Sequence, residues 1–84
     1  MAQTQLSDLV AAMARALVDK PAEVEAGEFD GDNNSSIVVE LKVARDEIGK
    51  VIGKSGRTAE AMRVVLGAAA QKLGNKRVHL DILD

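Results

Sequence analysis

The hydrophobic pattern of this chain switches between two periods in one order, and that order leaves few folds open. Leu6, Leu9, Val10, Met13 and Leu17 recur at the helical period of 3.6, which predicts a first amphipathic helix. It should stop by Asp19-Lys20, because Pro21 disfavours helical geometry in the residue before it. Val24 and Ala26 then alternate with Glu23 and Glu25 at period two, as a strand does. The alternation slips at Gly27, since Glu28 falls where an apolar residue is due and Phe29 comes one place late. A β-bulge at Gly27 would restore the phase and return Phe29 to the buried face. Asp30 to Ser36 is a run of turn formers, and Ile37, Val39, Leu41 and Val43 follow at period two, so the two strands read as a hairpin.

The helical period returns over 45–52, with Asp46 and Glu47 in the first turn, where the helix dipole favours acids. Gly53-Lys54-Ser55-Gly56 interrupts it. A longer helix is predicted over 57–73, with Ala59, Met62, Leu66, Ala69 and Leu73 on one face and a C-cap signal at Gly74-Asn75. Val78, Leu80 and Ile82 close the chain as a third strand, its alternate positions His79 and Asp81 facing away from the helices. The order is α-β-β-α-α-β: an α+β sandwich whose three-stranded sheet is covered on one face by three helices. Eighty-four residues suffice for one such domain, 1–84, and one core.

Composition removes several classes of function. With no cysteine there are no disulfides, thiolate metal sites or cysteine nucleophiles, and a single histidine, His79, excludes a histidine cluster. We therefore expect no metal, no cofactor and no catalytic constellation. No apolar run approaches the roughly 20 residues of a membrane span, and the N-terminus has no signal-type pattern, so a cytoplasmic protein without membrane contact is expected. One Phe with no Tyr or Trp excludes a nucleic-acid reader built on ring stacking.

The net charge of −2 conceals an asymmetry. Residues 1–41 hold eight acids against two bases, and 42–63 hold six bases against three acids. The basic middle points to an anionic partner. At its centre, glycines 53 and 56 allow a backbone to approach the main chain closely, unpaired N–H groups at the next helix start face an anion, and Lys54 and Arg57 add charge. Ile48, Val51 and Ile52 offer an apolar wall for a base. A mere tight helical turn remains open on the four residues alone. A nucleotide-phosphate loop does not: its first glycine would have to be residue 48, which is Ile, and it needs a preceding strand.

Val51-Ile52-Gly53-Lys54-Ser55-Gly56-Arg57 resembles the V-I-G-x-x-G signature of the KH domain, and the element order resembles its type II form along the whole chain. The stand-alone length and the Gly-Arg-Thr-Ala run are similar to the small bacterial KhpA-like RNA-binding proteins. The resemblance implies a type II KH fold with the second and third strands parallel and adjacent. It also implies a non-enzymatic protein that clamps about four nucleotides of single-stranded RNA. Gly53, Lys54, Ser55 and Gly56 would be the clamp, Ile48, Val51 and Ile52 the groove, and Arg57 a phosphate neighbour. An RNA chaperone or post-transcriptional regulator is implied by the same analogy. One departure is Ala59, where a larger aliphatic residue is common, which would trim the groove's edge. Val64, Val65 and Ala68 form a second apolar face on the long helix, with Gly67 permitting close approach. They are the candidate surface for self-association or for pairing with a larger Jag-type KH protein (KhpB). The competing reading is a protein-interaction subunit that works mainly through this surface.

Overall fold

The computed structural model describes residues 4–31, 36–74 and 77–84. Its elements are α1 (Gln5–Leu17), β1 (Glu25–Asp30), β2 (Ser36–Lys42), α2 (Ile48–Ile52), α3 (Arg57–Gly74) and β3 (Arg77–Ile82), the expected order. Short 3-10 turns at Pro21–Glu23, Arg45–Glu47 and Lys54–Gly56 join them. Residues 32–35 of the expected turn and Asn75 of the expected cap lie outside the described residues.

α1 starts where Thr4 and Ser7 exchange side-chain and backbone bonds in a capping box: the Ser7 amide donates to Thr4 Oγ1 at 3.2 Å and the Thr4 amide to Ser7 Oγ at 2.6 Å. Its buried stripe is Leu6, Ser7, Val10, Ala11 and Ala14. The expected Leu17 is exposed instead, and Leu9 and Met13 are half-buried. Ala11 and Ala14 take the inner face over the second half of the helix, where Met13 and Leu17 were expected.

The sheet runs β1-β2-β3, with β1 antiparallel to β2 and β2 parallel to β3. A parallel neighbour needs a crossover, and α2 and α3 supply it. Ile37, Val39, Leu41 and Leu80 face the helices and pack against Val10, Val51, Met62 and Leu66. Burying each Val or Leu contributes about 1.5–3 kcal/mol. Among the described residues, no helix is long and apolar enough to cross a membrane.

The bulge at Gly27 is not there. The β1–β2 register is unbroken from Glu25↔Lys42 to Asp30↔Ile37. Strict alternation therefore leaves Glu28 on the helix side, opposite Val39, and Phe29 on the open face, opposite Val38 and 41% exposed. What makes Glu28 tolerable there is a hydrogen bond at 2.7 Å from the Thr4 hydroxyl, which ties the start of α1 to β1. The chain's single aromatic ring is thus a surface residue. His79 and Asp81 lie on the same open face, as their alternation predicts.

Candidate nucleic-acid interface

α2 is five residues long and ends at Gly53, whose amide donates to the Gly49 carbonyl at 2.9 Å. The next four residues hold an unusual concentration of positive backbone angles: Gly53 at φ 78°, Ser55 at 58° and Gly56 at 75°. Gly53 has ψ 173°, a conformation essentially restricted to glycine. A Cβ there would also approach the Thr58 amide nitrogen to 2.9 Å. Gly56 differs: nothing lies near the position a Cβ would take, so its glycine answers to the angle alone and leaves the outer surface of the turn bare. Ser55 occupies the left-handed region with a side chain, at a cost of about 1–2 kcal/mol. The Gly56 amide donates back to the Gly53 carbonyl at 3.1 Å and closes the turn. The amides of Gly53, Gly56 and Arg57 are spent on the carbonyls of Gly49, Gly53 and Lys54. α3 then begins at Arg57 with its positive end toward the loop.

Lys54, Ser55 and Arg57 are exposed. Neither cation has an ion-pair partner among the described residues. Ile48 and Ile52, one helical turn apart, are both half-buried. Ile48 lines a cleft of about 610 Å³ with Lys42, Ala44, Arg45 and Leu83. Two expected groove residues have a different place. Val51 is fully buried in the core and has no surface to offer a base, so it holds α2 down. Ala59 is buried as well, so its small size concerns the packing of α3 and not the groove's edge.

The expected inner face of α3 holds through Leu66 and drifts by one residue beyond it. Ala59, Met62, Leu66 and Ala70 are buried, Ala69 is half-buried, and Leu73 is exposed. Val64 and Val65 are 65% and 47% exposed, and Ala68 is exposed beside them. Val64, Gly67 and Ala68 line a second cleft against β3, with Arg63, Arg77 and Val78. Arg63 also donates to the Leu80 carbonyl of that strand at 3.4 Å.

Composition gave no sign of one further feature. Glu47, read from the sequence as a first-turn acid, is buried. Its carboxylate accepts the amides of Asp19 at 2.5 Å and Lys20 at 2.9 Å, and the Lys50 ammonium at 3.3 Å. Burial alone would push this carboxyl up; the Asp19 amide, the Lys50 ammonium and the Lys20 amide outweigh it and hold the carboxyl below its ordinary 4.5. Lys50 also meets Asp19 at 2.5 Å, and Asp19 first and Glu47 second raise its ammonium above the ordinary 10.5. Lys20 pairs with Asp46 at 2.9 Å. The two amides that Glu47 accepts lie 28 and 27 positions away, so no local sequence pattern announces those contacts.

The model of the KhpA/KhpB KH domain matches residues 7–82. The chain belongs to the KhpA/KhpB family of KH domains. Among its relatives is the RNA-binding protein KhpA of Caldanaerobacter subterraneus subsp. tengcongensis, 49% identical over 78 residues, or 93% of this chain and 100% of that one. The RNA-binding protein KhpA of Halalkalibacterium halodurans is 49% identical over 79 residues, or 94% of this chain and 100% of that one. Two solved structures share the fold at 20% identity and a TM-score of 0.61. They are Aquifex aeolicus Era bound to GDP.AlF4-, of which this chain spans 29%, and Era in complex with MgGDPNP and nucleotides 1506-1542 of 16S ribosomal RNA, of which it spans 28%; each covers 92% of this chain. At that identity the likeness establishes the type II KH fold and no more.

Proposed function

We propose that this protein, acting as one KH domain over 1–84, binds single-stranded RNA at the Gly53–Gly56 loop and catalyses no reaction. One observation carries the reading: three of the four loop residues have positive φ, between two helices and beside two exposed cations that have no ion-pair partner among the described residues. The positive end of α3 faces phosphate oxygens at the loop, while Lys54 and Arg57 supply charge. About four nucleotides fit such a clamp. Ile48 and Ile52 give bases a half-exposed aliphatic surface, which needs no aromatic ring. The names of the KhpA relatives support the same partner. A role as RNA chaperone or post-transcriptional regulator follows if binding is only weakly sequence-selective.

The test reverses the loop's charge. Lys54→Asp with Ser55→Asp should abolish measurable binding of a labelled oligouridylate while leaving the circular dichroism spectrum unchanged. A double variant that binds as well as the parent removes the clamp.

The exposure of Val64 and Val65 favours a second activity further along α3: association with a second copy or with a larger KhpB-type protein.

A further inference from the structure

Lys50 belongs by sequence to the basic stretch around the loop and stands three residues before Gly53. Its surroundings assign it elsewhere. The ammonium is held between Asp19, exposed at the end of α1, and Glu47, only 3% exposed. Removing it would leave Glu47 a buried carboxylate without a cation, an expensive arrangement. Glu47 meanwhile accepts the main-chain amides of Asp19 and Lys20, in the segment that follows α1. The charged groups gathered at this junction are Asp19, Lys20, Glu23, Asp46, Glu47 and Lys50.

A helix of five residues has no stability of its own and takes its orientation from what holds it. For α2 those holds are Val51 in the core on one side and Glu47 at its start on the other. The Gly53–Gly56 loop begins at the residue that caps this helix, so a tilt of α2 moves the loop with it. We propose that Glu47 is a positioning residue for the RNA-binding loop and that Lys50 serves as its counter-ion, leaving Lys54 and Arg57 as the cations that meet phosphate. This inference rests on the loop being the RNA site.

Binding of a fluorescein-labelled oligouridylate across a potassium chloride series tests both parts. Each phosphate neutralised on a single strand contributes about 0.7 to the slope of log affinity against log salt. Lys54→Met should lower the slope by about that amount. Lys50→Met should leave the slope at the parent value. Glu47→Gln should give a line parallel to the parent's and weaker at every salt concentration, with faster amide exchange at Gly53–Gly56 and unchanged exchange at Val39 and Leu41. A purely structural role would speed exchange throughout the core and leave the affinity of the folded fraction intact, which would overturn the positioning role. A Lys50→Met slope reduced as much as that of Lys54→Met makes Lys50 a phosphate ligand and overturns the counter-ion role; this arm stands even if Glu47→Gln does not fold. If neither lysine changes the slope, the RNA assignment of the loop itself is wrong.

Discussion

At the scale of single residues, the two loop glycines look alike in sequence and are required for different reasons. Gly53 combines a glycine-only conformation with the Thr58 amide close behind it, whereas Gly56 has a positive angle and open space. Gly53→Ala should therefore destabilise the protein by about 2–3 kcal/mol, and Gly56→Ala by about 1–2 kcal/mol. Urea denaturation of the two variants measures the difference, and equal losses would contradict the packing argument. The same scale shows why some residues were misread. Val51 and Ile52 are adjacent and chemically alike, yet one is core and the other half-exposed, because a five-residue helix offers too little periodicity to tell its faces apart. Phe29 reaches the core only if a bulge at Gly27 restores the alternation, and the unbroken register holds no bulge. Thr4, 24 residues before Glu28, donates the hydrogen bond that satisfies Glu28 on the inner face, and Phe29 beside it faces out.

At the scale of elements, long and strongly periodic segments were legible from sequence and the junctions were not. The strand faces of β2 and β3 follow from alternation, and the order of elements follows from the switches in period. The junction between α1 and α2 depends on charges from both, and their response to pH should expose it. Glu47 and Asp46 are held below their ordinary 4.5 and 3.8, so their contribution to stability is complete above those values and is lost as pH falls through the lowered ones. Lys20 and Lys50 are held above 10.5, so theirs is complete below 10.5 and is lost as pH rises through the raised values. Between these limits the junction is fully formed. Lys20 and Asp46 are largely exposed and should matter little, which leaves Glu47 as the group to watch. The urea midpoint of Glu47→Gln should lie below the parent's at neutral pH, and the two should converge as pH falls below 4.5. A gap that stays constant into acid would mean that the Glu47 charge does not stabilise the fold.

At the scale of the whole molecule, charge and apolar surface are segregated. β1, an edge strand, carries Glu25, Glu28 and Asp30, which guard that edge against pairing with another sheet. The unpaired cations of the loop sit at one end of α3, and Val64, Val65 and Ala68 lie further along it. From Arg57 to Val65 is eight residues, a rise of about 12 Å at 1.5 Å per residue. If the proposed clamp and the proposed valine surface act independently, removing one should leave the other intact. Val65→Asp should then reduce the mass seen by light scattering to the 8.9 kDa of a single chain, with helical circular dichroism unchanged and the salt dependence of oligouridylate binding the same as the parent's. A parent that already scatters as one chain, or a variant that still associates, would remove the valine surface as an interface. A variant that dissociates and loses RNA binding together would show instead that the clamp works only when two copies present it side by side, making the two surfaces one device.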